Sequence, residues 1–130
     1  MTITSAARRA VLVLLALPLL ACESPTAAEE ADRLTVQTVD VRILESFPVQ
    51  VTASVTGYLR DGCEMLGATT QTRSGNTITV TIATEWDNKT ERVCIQVISQ
   101  VQQDVPLEGA FPSGTYVLRV NGVEKTFRVD

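Results

Sequence analysis

The sequence predicts an all-β protein, a two-sheet antiparallel sandwich of about seven strands. Three observations carry that prediction. Apolar and polar residues alternate with period two in several short runs. Turn signals separate those runs every 8 to 15 residues or so, the spacing of sandwiches and small barrels. The region after the leader is also rich in Val and Thr and poor in helix formers, and no segment repeats with the 3.6-residue period of a helix. A small closed barrel is the alternative architecture.

The elements follow in chain order. Leu34 to Leu44 is a first extended stretch carrying Val36, Val39, Val41 and Ile43, and Pro48 marks its break. Val49, Val51, Ala53 and Val55 then alternate with Gln50, Thr52 and Ser54, so one face is buried and the other is wet. Asp61-Gly62 is a turn. Glu64 to Arg73 is a weaker strand with Met65 and Leu66. Ser74-Gly75-Asn76 signals a hairpin into Ile78, Val80 and Ile82, which alternate with Thr77, Thr79 and Thr81. This is the strongest strand signal in the chain.

Glu85 to Arg92 is polar and charged and is expected to be a loop. Val93, Ile95 and Val97, with Val101, resume the alternation, and Val105 and Leu107 form a short apolar pair. Gly109 to Gly114 turns the chain. Tyr116, Leu118 and Val120 precede Asn121-Gly122, and Val123 and Phe127 follow. Asn-Gly between alternating runs specifies a two-residue hairpin, because both residues tolerate the positive φ of a type I′ turn.

The N-terminus reads as a targeting segment. Arg8-Arg9 precede an apolar run from Ala10 to Leu20, broken by Pro18. That run is too short to span a bilayer, which takes about 20 apolar residues. A charged n-region, a short apolar core and a small residue at the cut describe a secretory signal. Leu19-Leu20-Ala21-Cys22 resembles the lipobox of bacterial lipoproteins. The resemblance implies cleavage after Ala21, acylation of the Cys22 thiol and several acyl chains, enough for stable anchoring. It also implies export, with the protein held on the periplasmic or cell-surface face of a bacterial membrane. Residues 1–21 are then the signal peptide, 22–33 the lipidated cysteine and a tether, and 34–130 the sandwich. The tether, Glu23 to Asp32, is polar and acidic and lacks large apolar groups, so it cannot offset its own ordering entropy. A helical turn from Thr26 to Arg33 is the competing reading.

Charge excludes one class of partner. The chain has 11 basic and 15 acidic residues and no histidine. Removal of Arg8 and Arg9 with the leader leaves nine basic against 15 acidic, a net charge of −6. No basic cluster follows Cys22, so nucleic acid and anionic lipid headgroups are not expected partners.

Of the three cysteines, Cys22 is assigned to lipid, and Cys63 and Cys94 remain as a pair in an oxidising compartment. Their spacing is far from the Cys-x-x-Cys of redox pairs, and a structural zinc site needs four ligands in a chain without His. A structural disulfide is the expectation, with a stabilisation of roughly 3–4 kcal/mol in the chain-entropy model.

Gly114-Thr115-Tyr116 before Val117-Leu118-Arg119-Val120-Asn121-Gly122 resembles the penultimate strand and last hairpin of bacterial immunoglobulin-like domains. Gly57-Tyr58-Leu59-Arg60-Asp61-Gly62-Cys63, with Cys94, resembles a recurring module of exported bacterial lipoproteins. The similarity covers roughly Val39 to Val129. It implies an immunoglobulin-like sandwich in an envelope setting and transfers no functional residues. Tyr116 resembles a tyrosine-corner residue, whose hydroxyl bonds the backbone upstream. Trp86 departs from antibody-type domains. It lies in a polar loop shortly before Cys94, not midway between the paired cysteines, which puts the antibody strand order in question.

No catalytic constellation stands out. Nucleophiles need an activating base, and the commonest, His, is absent. Asp61 and Glu64 flank a cysteine on one turn, and Glu85, Asp87 and Glu91 share a loop. Such carboxylates serve acid–base chemistry or calcium, but Glu85-Trp86-Asp87-Asn88 lacks the glycine and oxygen-ligand density of a calcium loop, so solvated surface charge is the expectation. No catalytic residue, metal or cofactor is expected. Trp86 is read as a lid over the end of the core, with a binding anchor as the alternative. Tyr58 is expected to pack at a strand end. The functional expectation is a non-catalytic, lipid-anchored envelope module that binds an envelope protein or polysaccharide through an end loop. The candidate residues are Glu85, Trp86, Asp87 and Asn88, with Glu108–Gly114 as a second loop. The alternative function is an inhibitor that presents the Glu85–Arg92 loop to a protease or other hydrolase.

Overall fold

A computed structural model describes residues 32–87 and 93–130. The leader, Cys22, the tether up to Ala31 and Asn88 of the candidate loop lie outside the described residues. Among the described residues there are seven strands: β1 (Thr35–Leu44), β2 (Gln50–Leu59), β3 (Glu64–Ser74), β4 (Thr77–Trp86), β5 (Ser99–Pro106), β6 (Gly114–Val120) and β7 (Val123–Val129). They form a three-stranded sheet, β1-β2-β5, and a four-stranded sheet, β3-β4-β6-β7. The architecture is the expected β-sandwich.

Periodicity explains why the sheets meet. On β2, Val51, Ala53, Val55 and Leu59 point inward while Thr52, Ser54, Thr56 and Tyr58 are half-exposed on the outer face. On β4, Ile78, Val80 and Ile82 point inward between threonines, and on β6 so do Tyr116, Leu118 and Val120. With Leu34, Val39, Val105, Leu107, Phe111, Phe127 and Val129 they make one core. Each buried Val, Leu, Ile or Phe side chain contributes about 1.5–3 kcal/mol by leaving water. Tyr116 and Phe127 stack with ring centroids 5.3 Å apart, and Phe111 meets Tyr116 edge-on at 5.4 Å.

Side chains, not a backbone ladder, join the sheets on one flank. Gln71 Nε2 donates to Pro106 O (2.7 Å), Glu108 N donates to Gln71 Oε1 (3.1 Å), and Gln103 Nε2 donates to Thr69 Oγ1 (3.0 Å). β3 and β5 therefore face each other as unladdered edges, and the sandwich does not close into a barrel.

Three expectations need correction. The sheets are not wholly antiparallel: β4 and β6 pair in parallel, from Thr77↔Val117 to Val80↔Val120. In the antibody constant arrangement the fourth strand lies beside the fifth in the first sheet. Here β4 stays in a hairpin with β3, so the chain crosses to β5 and back before β6 arrives with the same direction as β4.

The second concerns the polar segment expected to loop from Glu85. Glu85 and Trp86 are instead the last two residues of β4, paired with Met65 and Glu64. The third concerns Val93 to Val97, which are not in a strand. Alternation selects a buried face only where a partner strand is available. This segment has none, and it carries the chain between sheets until β5 begins at Ser99. The last hairpin turns as expected, with Asn121 at φ 45° and Gly122 at φ 90°.

Candidate functional site

The strand directions sort the connections into two ends. One end gathers Asp32–Leu34, the β2–β3 turn, the end of β4, the segment 93–98 and the Asn121-Gly122 hairpin. Asp61 organises this end. Its Oδ1 accepts the backbone N–H groups of Cys63 (2.8 Å) and Glu64 (3.1 Å), which closes the tight turn after β2. Glu64 then points back under the turn, its side chain only 1% exposed. The Arg60 guanidinium grips its carboxylate, Nη2 to Oε1 at 2.8 Å and Nε to Oε1 at 3.2 Å, and the Arg60 backbone N–H donates to Oε2.

Burial opposes ionisation of Glu64 and is the largest single influence on it. The Arg60 side chain and backbone N–H outweigh it and hold the carboxyl below its ordinary range. The same hydrogen bond raises Arg60. Asp61 and Glu64, raised from the sequence as an acid–base pair, are thus both engaged in holding the turn.

Cys63 and Cys94 form the disulfide, with Cα atoms 5.4 Å apart. It fastens the crossing segment to the turn. Gly62 N donates to Ile95 O (2.9 Å) and Asp87 N donates to Cys63 O (3.0 Å) beside it. Among the described residues, Asp61, Cys63 and Cys94 bring ligand atoms within 4.8 Å of one another. With the sulfurs bonded to each other and Asp61 Oδ1 bonded to two amides, this donor set does not fit a zinc site.

On this frame stands an apolar crest. Val93 is 93% exposed, Ile95 69%, Ile98 70%, and Trp86 46%. Val97 is exposed in the same segment, and Met65 is exposed on β3. Trp86 therefore does not cap the core. Of the four candidate loop residues, Glu85 and Trp86 are exposed at the end of β4, Asp87 is half-buried after it, and Asn88 lies outside the described residues. The sequence reading missed Val93, Ile95 and Val97 as surface groups because their alternation mimics a buried strand, and it did not single out Ile98. The signal that could have found them is Cys94 itself, since a bond to the β2–β3 turn draws its neighbours away from a ladder.

The second candidate loop, Glu108–Gly114, is at the opposite end and is anchored. Phe111 is in the core, the Arg73 guanidinium lies 4.8 Å above its ring, and the Tyr116 hydroxyl donates to Pro112 O at 2.6 Å. That bond is the corner expected of Tyr116. The same end exposes Phe47 fully, at the tip between β1 and β2.

Comparison with known proteins adds a family and no activity. Residues 53–129 match the model of the ORF11 beta-sandwich domain, a span that starts within β2 and ends with β7. An uncharacterised 10.2 kDa protein of the HgiCIIM 5′ region of Herpetosiphon aurantiacus is 29% identical over 96 residues, 74% of this chain and 100% of the relative. Uncharacterised 10.2 kDa proteins of the HgiBIM and HgiEIM 5′ regions of the same organism are each 29% identical over 84 residues, 65% of this chain and 100% of the relative. No solved structure matches the chain.

Proposed function

The chain belongs to the ORF11 beta-sandwich domain family, and from that premise we propose that it is a non-catalytic, lipid-anchored module of a bacterial envelope that binds another envelope component through the disulfide-clipped end of its sandwich. The exposed crest of Trp86, Val93, Ile95 and Ile98 carries this reading. Large apolar groups clustered on a surface mark contact sites, and a Trp at such a site is a frequent anchor. The end that carries these groups is fastened by a disulfide, an ion pair whose carboxylate is buried and two amide–carboxylate bonds, which lowers the ordering cost of binding. The leader and Cys22 support anchoring and export.

The experiment places a photo-crosslinking residue at Ile95 or Trp86 in the full chain, expressed in its own host. Crosslinks are expected at these positions and not at Thr126 on β7. Equal yields at both positions, or none at the crest, would remove the reading.

A further inference from the structure

We infer that the component met by this end is the bilayer interface itself, with Trp86, Val93, Ile95 and Ile98 as the contacting groups. The inference rests on the lipid-anchor reading and names the partner of the same surface.

The argument begins with where the chain enters the fold. Asp32 O accepts Thr84 N (2.8 Å), and Arg33 bridges Ala83, both near the end of β4. The chain therefore arrives at the end that carries the crest. Asp32 is ten positions beyond Cys22, and a fully extended stretch of that length reaches at most about 35 Å. A strand of ten residues is itself about 33 Å long, so the opposite end, with Phe47, stands a full strand length farther away. An acylated Cys22 would be joined to the crest end and not to the Phe47 tip, so along the chain the crest is the end nearer the anchor.

The chemistry of the crest matches that location. Three aliphatic side chains bury readily at the acyl boundary, and an indole, with its apolar ring and single N–H, prefers the interface. Glu85 and Asp87 flank it, so contact through anionic headgroups is disfavoured. Docking is expected to be stronger on neutral than on anionic vesicles, with added salt narrowing the difference.

Trp86 is the only tryptophan in the chain, which makes its fluorescence a single-site probe. The lipidated full-length product is reconstituted into phosphatidylcholine vesicles. Flotation reads anchoring, and quenching reads docking. The expected result is a shift of emission to shorter wavelength, quenching by bromolipids, and acrylamide quenching reduced severalfold relative to a Val93→Asp, Ile95→Asp double variant in the same vesicles. Both positions are exposed, so the variant is expected to fold, and urea unfolding checks that it does. Protein that floats while Trp86 remains open to acrylamide overturns docking and leaves the anchor standing. Trp86 shielded in native envelopes but not in pure lipid also overturns it, and assigns the crest to a protein. Protein that does not float overturns both.

Discussion

Asn121 and Leu34, 87 positions apart, are joined by a side-chain bond: Asn121 Nδ2 donates to Leu34 O at 2.8 Å. The same amide donates to Ile82 O (2.9 Å), and its Oδ1 accepts Ile82 N (3.0 Å). One turn residue thus closes the β6–β7 hairpin, stitches it to β4 and fixes the chain where it enters the fold. Asn suits all three tasks, because it tolerates positive φ and carries both a donor and an acceptor. Replacement by Gly keeps the backbone and deletes the stitches. Asn121→Gly is expected to lower stability by about 1–3 kcal/mol, read from the urea midpoint. A change within 0.5 kcal/mol would show the stitches to be idle.

Reduction, or a Cys63→Ala, Cys94→Ala double variant, is expected to cost about 3–4 kcal/mol for a loop of this length. Proteolysis should then strike first between Val93 and Ile98, because the crossing segment has no ladder to hold it. Limited proteolysis with mass mapping checks both the loss and its place.

Glu64 gives the fold a defined acid sensitivity. Its carboxyl titrates below its ordinary value in the folded state, so the unfolded chain binds the proton more readily. The stabilisation is present above the unfolded value, near 4.5, and is lost as pH falls through the folded one. Glu64→Gln is expected to flatten this part of the stability–pH curve and to weaken the fold at neutral pH by roughly 1.5–3 kcal/mol, the worth of a charge-assisted hydrogen bond. Urea midpoints at pH 7 and pH 3 in both proteins measure it.

Tyr116→Phe removes only the bond to Pro112 and leaves the ring stack with Phe127. A loss of about 1 kcal/mol is expected. Phe111→Ala, which opens the core beneath Arg73, is expected to cost about 3–5 kcal/mol. Thermal unfolding of the two variants should separate them clearly.

Much of the sandwich is legible in the chain because its strongest strands obey a local rule. Thr77 to Ile82 alternates without interruption, Tyr116, Leu118 and Val120 keep the same period with Val117 as the one apolar residue between them, and Asn121-Gly122 specifies its own turn. With Cys22 read as the lipid site, counting leaves Cys63 and Cys94 to each other, and the structure joins them. The parallel β4–β6 pair is not legible, because no local pattern says which non-sequential strands become neighbours. The crest is not legible for a related reason: Val93, Ile95 and Val97 have the period of a strand but no partner, and period alone cannot report that. Glu64 is hidden in the opposite sense. A glutamate beside a turn reads as surface charge, and only the fold brings Arg60 back over it.

The account stands most directly on the covalent state of three sulfur atoms, and intact-mass analysis of the mature product from its own host measures it. The account predicts a chain that begins at Cys22 and carries acyl groups there, with Cys63 and Cys94 together two hydrogens lighter than free thiols. An unacylated Cys22 in a chain that retains its first 21 residues would contradict it.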